Sequence, residues 1–375
     1  MQKFLNWLEK VLTPLAKIIG ENKYLIAIRD GFLISTPLLI VGSFFLLLAN
    51  FPIPNWSNMI SPILGNNWES LMSVPASASF DVMTILAVVG IAYSLGRQLE
   101  IDAIQSAALA LVSFFILTPY TTLFTPENST KVYEVTSLPL KWMGSSGLFL
   151  GMIIALVSTR IFAAVIHRGW TIKMPDGVPP TVVKSFEALI PSFVVVTIMF
   201  VLNWLVSLTS MGNLQDVIFT FLQTPLLSLG NTLGAMIIAY LFLHFFWFFG
   251  INGSSVVGAV FNPVLRALSV ENMQAFKDGH EIPNIITGQF QDMFATFGGG
   301  GSTLSLIIVM VLFCKSQRVK KLSQLSLVPS IFGINEPIIF GLPIVLNPII
   351  LIPFALVPTI NTVSYTHLRA HETEL

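Results

Sequence analysis

The sequence predicts an all-α fold: a polytopic bundle of transmembrane helices, with re-entrant hairpins or broken helices in the C-terminal half. Three observations predict it. Only 10% of the 375 residues are charged and 54% are hydrophobic, whereas a soluble domain carries about 25% charged residues. Charge is also absent over long runs. No Asp, Glu, Lys or Arg occurs between Asp30 and Glu69, Asp102 and Glu127, Glu187 and Asp216, or Asp292 and Lys315. Each run holds the roughly 20 mostly apolar residues that a membrane-crossing helix needs. Beyond Gly250, finally, the apolar pieces shorten and are interrupted by Gly, Asn and Pro. Irregular backbone at membrane depth is tolerated only where it lines a cavity or is buried in protein, and in transporters it points to the binding site.

The elements follow in order. Residues 1–25 place Phe4, Leu8, Val11, Leu15 and Ile18 at helical spacing with Lys3, Lys10 and Lys17 between them. That pattern predicts an amphipathic helix on the membrane surface. Spans are expected at 26–49, 82–96, 103–118, 145–166, 189–208 and 226–249. Shorter pieces follow at 254–268, 285–297, 304–314, 325–334 and 338–358. Lys and Arg crowd 1–29, Arg97, 160–184 and 315–321, and are absent from 50–79 and 209–224. The amino terminus is therefore expected in the cytoplasm, with 50–79 and 209–224 outside. The loop 119–143 is also assigned outside, although it holds Lys131 and Lys141.

At residue 363 the chain turns abruptly polar. The string Val363-Ser-Tyr-Thr-His-Leu-Arg-Ala-His-Glu-Thr373 resembles a translated sequencing adapter. Residues 363–375 are expected to be foreign and the natural chain to continue past about 362.

Other classes are disfavoured. Net charge is zero and no basic stripe exists, so nucleic acid is not an expected partner. The single cysteine, Cys314, excludes an internal disulfide and a cysteine-based metal cluster. No cofactor or metal is expected. The first 23 residues hold four lysines and no small-residue cleavage site, so no cleavable signal peptide is expected.

Four segments put polar groups inside apolar surroundings: Met174-Pro-Asp-Gly-Val-Pro-Pro180, Gly250-Ile-Asn-Gly-Ser-Ser255, Gly298-Gly-Gly-Gly-Ser-Thr303 and Gly333-Ile-Asn-Glu-Pro337. A carboxylate at membrane depth, such as Glu336, is a functional candidate by default. Together with Asn335-Glu-Pro-Ile-Ile-Phe-Gly-Leu-Pro-Ile-Val-Leu-Asn-Pro348 and Phe246-Trp-Phe-Phe-Gly-Ile-Asn-Gly253, these segments resemble the enzyme IIC membrane component of the sugar phosphotransferase system, in its lactose/cellobiose/diacetylchitobiose family. The resemblance covers residues 1 to about 362.

The resemblance implies a homodimer in a bacterial plasma membrane. It implies inward transport of a β-linked disaccharide, coupled to phosphorylation of its 6-hydroxyl by the phosphocysteine of a separate IIB protein. Residues 26–210 would form the dimerisation domain and 211–362 the sugar-binding domain. Glu336 would be the general base, with sugar contacts from Asn252, Asn335, Gly300, Ser302, Thr303, Arg29 and His244. Many relatives have His where this chain has Asn252, and an amide hydrogen-bonds but does not shuttle a proton.

Each residue also has a plainer role. Glu336 fits a buried structural carboxylate, Asn335 a cap for the helix that starts at Pro337, and His244 a satisfied bundle histidine. The glycine run permits close backbone approach. Arg29 pairs with Asp30 or reaches the membrane interface. An ion-coupled sugar transporter is the alternative function; it would need ionisable groups inside its spans, which the uncharged runs mostly lack.

Overall fold

The structure is a computed structural model and describes residues 21–372 except 50, 52, 54, 125–130, 176, 250, 251, 332, 343 and 346. Of the expected amphipathic helix over 1–25, residues 1–20 lie outside the described residues. The chain forms two compact units, Ile26–Thr224 and one that runs from Pro225 onward.

The first unit holds helices α1 (Lys23–Ala49), α2 (Trp56–Leu64), α3 (Trp68–Phe80), α4 (Met83–Gln98) and α5 (Ala103–Ile116). A hairpin follows, with β1 (Thr121–Phe124) antiparallel to β2 (Tyr133–Thr136) and Thr121 opposite Thr136. Then come α6 (Leu148–His167), α7 (Pro180–Glu187), α8 (Leu189–Ser207) and α9 (Leu214–Ile218). Its core is the packing of α4, α5 and α6, where Met83, Ala87, Val88, Ile91, Leu95, Phe114, Leu148 and Phe162 are fully buried. Gly90 on α4 meets Gly31 on α1 so closely that a Cβ at 90 would overlap the Gly31 backbone. Small residues let membrane helices approach in this way. Helix α8 is different: Phe193, Phe200 and Trp204 face outward, an apolar surface suited to hydrocarbon.

Local chemistry sets these boundaries. Asp102 caps α5 by accepting from Ile104 N at 3.1 Å and Gln105 N at 3.0 Å. Pro180 opens α7, where its fixed φ suits the first helical position. Helix α5 has 14 residues, shorter than the expected 103–118 segment, because the chain leaves helical geometry at Leu117.

The second unit contains α10 (Thr224–Gly230), α11 (Leu233–Phe248), α12 (Gly253–Lys277), α13 (Thr303–Phe313), α14 (Gln317–Ile331), α15 (Glu336–Gly341) and α16 (Pro348–Glu372). The expected span 226–249 is not straight. The helix ending at Gly230 meets α11 at 80°. Thr232 restarts the helix by accepting from Ala235 N at 3.3 Å. An amide cluster then pins the bend: Asn231 donates to Asn284 Oδ1 at 3.0 Å, and Asn284 donates to Glu271 Oε2 at 3.1 Å. Asn272 bonds the backbone of Asn284 on both sides, at 2.7 and 2.9 Å. Expected short piece 254–268 is instead the 25-residue α12, which continues through Pro263. Helix α16 runs on through 363–372, where the Tyr365 ring lies 4.1 Å from that of Phe294.

Among the described residues, five stretches are long and apolar enough to cross a membrane: Trp68–Gln98, Ser145–His167, Pro180–Ser207, Gly288–Phe313 and Ile349–His367. The bent pair makes a sixth.

Candidate functional site

Four glycines between two helical pieces leave the backbone nothing to pack with except itself and its neighbours. Here Gly298, Gly299 and Gly301 take φ of +82°, +97° and +78°, and Ser302 follows at +52°. Side chains with a Cβ rarely adopt this region. Space adds to the demand. A Cβ on Gly299 would meet Asn335 and the Gly333 carbonyl, and one on Gly301 would enter the Phe354 ring.

This turn carries a dense set of hydrogen bonds. Asn335, only 2% exposed, donates from Nδ2 to Gly300 O at 2.6 Å. Gly301 N–H donates to His244 Nε2 at 2.7 Å. The other ring nitrogen, Nδ1, lies 2.6 Å from Tyr240 O. His244 is fully buried and meets Phe354 edge-on, with centroids 4.9 Å apart. Ser302 donates to Ala295 O at 2.8 Å and accepts from Asn361 Nδ2 at 3.3 Å. Thr303 donates to Gly298 O at 2.9 Å. Trp247 packs beside Gly300 and donates to Ser254 Oγ at 3.2 Å.

The second unit thus brings together His244, Gly300, Ser302, Thr303 and Asn335. The hydroxyls of Ser302 and Thr303 hold the turn's own backbone. Asn335 precedes α15 without capping it through its side chain. Glu336 is the first residue of α15; its side chain lies outside the described residues. Asn252 sits just ahead of α12 and is itself engaged in an interaction. Arg29 belongs to the first unit, where its Nε and guanidinium NH2 lie 2.8 and 2.7 Å from Asp30 Oδ1. Among the described residues, no group of three or more His, Cys, Asp or Glu is placed to hold a metal.

Several residues of the site escape the sequence. Trp247 and Phe354 look like ordinary apolar residues of their helices, and only the fold turns them toward the glycines. Asn361 is a polar residue in an apolar run, a signal that was there to find. Elsewhere in the second unit, Arg266 and Asp292, whose charges attract each other, mark the edges of uncharged stretches and carry no local motif.

The family described as phosphotransferase system EIIC matches residues 29–358. The lichenan permease IIC component of Bacillus subtilis (strain 168) is 41% identical over 369 residues, which is 98% of this chain and 81% of that protein. The cellobiose-specific EIIC component of Geobacillus stearothermophilus is 39% identical over 93% of this chain and 78% of its own length. Among solved structures, the crystal structure of the transporter ChbC, the IIC component from the N,N'-diacetylchitobiose-specific phosphotransferase system, superposes with a TM-score of 0.92 at 42% identity. That match covers 97% of this chain and 85% of the other.

Proposed function

Because the chain belongs to the phosphotransferase system EIIC family, a family of multi-pass membrane transporters, we propose that it carries a β-linked disaccharide inward. Cellobiose, diacetylchitobiose and lactose define the class. Phosphorylation of the sugar 6-hydroxyl by the phosphocysteine of a cytoplasmic IIB protein accompanies transport. The unit works as a homodimer through residues 26–210, and the amino terminus lies in the cytoplasm.

One observation carries the site. Asn335, buried and bonded to Gly300 O, ties the residue next to Glu336 to the polar glycine turn. A carboxylate at membrane depth needs a hydrogen-bond donor, and a sugar hydroxyl is one. In the reaction the 6-oxygen attacks phosphorus, the phosphorus–sulfur bond of the IIB phosphocysteine breaks, and the thiolate leaves. Glu336 accepts the hydroxyl proton as general base. Asn252 and Asn335 hold the sugar in register, and the glycine turn with Ser302 and Thr303 shapes the wall beside it. His244 supports that wall.

Binding and IIB-dependent phosphorylation of the same variants test this. Glu336→Gln retains sugar binding, because an amide still hydrogen-bonds, and loses phosphorylation by at least about a hundredfold. Asn252→Ala weakens binding by about 1–3 kcal/mol. Parent-like phosphorylation by Glu336→Gln makes Glu336 structural. Uptake that needs no phosphoenolpyruvate and collapses with a proton uncoupler makes the chain an ion-coupled carrier instead.

A further inference from the structure

Gly300 O and Gly301 N–H belong to the same peptide group, and both are taken. Asn335 Nδ2 donates to the carbonyl at 2.6 Å, and the amide donates to His244 Nε2 at 2.7 Å. One peptide plane is therefore held from both sides by side chains that lie 91 positions apart in the chain (244 and 335). The two bonds reinforce each other. A donor on the carbonyl polarises the amide and strengthens its N–H as a donor.

This arrangement fixes the state of the histidine. A backbone N–H has only a proton to give, so Nε2 must be the acceptor. The Tyr240 carbonyl has only lone pairs, so Nδ1 must carry the hydrogen. His244 is then neutral and protonated on Nδ1, with no polar atom left to offer a ligand. Phe354 packs edge-on against the ring, with centroids 4.9 Å apart.

We propose that His244 is a positioning residue. It clamps the Gly300–Gly301 peptide and, through Asn335 on the far side of that peptide, sets the place of the Asn335–Glu336 turn at the sugar. The role is exerted through the backbone, without contact to the sugar. Neutral imidazole suits it because the position needs one donor toward its own helix and one acceptor about a ring-width further out. Lysine lacks the acceptor. Leucine fills the volume and leaves the Gly301 amide unpaired. Glutamine reaches the Nε2 position with an acceptor oxygen. The consequence for turnover rests on the functional reading above; the clamp itself does not.

Two experiments on the full chain in detergent or nanodiscs separate them. The first is the imidazole nitrogen-15 spectrum at neutral pH, with the His244 signals assigned by their loss in His244→Gln. The expected pattern is a neutral ring with hydrogen on Nδ1. A ring protonated on Nε2, or on both nitrogens, overturns the clamp. The second compares His244→Leu, His244→Gln, Asn335→Ala and the His244→Leu/Asn335→Ala pair, using IIB-dependent phosphorylation of cellobiose or diacetylchitobiose. His244→Leu should lower kcat by about a hundredfold, the scale of a roughly 1 Å misplacement, with a much smaller change in KM. His244→Gln should recover most of the rate. Because both residues hold one peptide, the double variant should lose much less than the product of the single losses. A lower melting temperature with unchanged kcat and KM, or independent losses in the double variant, makes His244 merely structural. If the parent phosphorylates neither sugar with its IIB protein, the functional reading fails, and the spectrum together with a double-variant cycle in melting temperature decides the clamp alone.

Discussion

A side chain at position 301 would meet two separate obstacles. The backbone has φ +78°, a region that penalises L-residues by about 1–2 kcal/mol, and the Phe354 ring fills the space where a Cβ would stand. Gly333 also has φ +78°, yet nothing lies within 4 Å of a Cβ there. The pair therefore separates strain from crowding. Gly301→Ala should be destabilised by about 1–3 kcal/mol beyond Gly333→Ala, the usual scale of overpacking. Thermal unfolding of both variants in the same detergent measures it, and equal losses would show that Phe354 yields freely. At this scale the sequence was informative wherever polarity stood out against an apolar background, as for Asn335, His244 and the glycine run. It was silent on which partner each would find. The Ser302 hydroxyl was expected at a sugar, and it donates to Ala295 O.

Helix ends depend on a few backbone amides, and α5 is the clearest case. The Asp102 carboxylate is held below the usual carboxylate range, first by the Gln105 amide; burial opposes this in part, and Lys184 at 3.2 Å assists. A lowered pKa means that the folded state favours the ionised form. The stabilisation is therefore complete above the ordinary value of about 3.9 and is lost as pH falls through the folded value. Asp102→Ala should lower stability by about 0.5–2 kcal/mol at neutral pH. Asp102→Asn should keep most of the cap, and its deficit against the parent should shrink as the medium is acidified below the ordinary value. A deficit that grows on acidification would reverse the sign and refute the assignment. Hydropathy located most helices, because long apolar runs and their charged ends are properties of consecutive residues. The 80° bend before α11 escaped it, since Gly230, Asn231 and Thr232 interrupt the apolar run only briefly. The cap at Thr232 is local, but the Asn231–Asn284–Asn272 cluster that pins the bend joins residues remote in sequence.

For the whole molecule, the bias of Lys and Arg predicts sidedness. Cysteine placed at Ser61 or Asn66 should react with an impermeant reagent added to intact cells, and cysteine at Lys320 should not. Labelling at 320 from outside would invert the topology. Light scattering of the same detergent-solubilised protein should return two copies, and an active monodisperse monomer would rule out the dimer. Conformational entropy is also at stake in the glycine turn. Glycine loses more freedom on folding than any other residue, and ordering one residue's backbone costs roughly 1–2 kcal/mol. Were the turn loose in the empty protein, a sugar seated against it as proposed would have to order it and would bind more weakly for doing so. With its peptide held by Asn335 and His244, the turn is ordered once, when the chain folds, and on the proposed reading a sugar meets a surface already set.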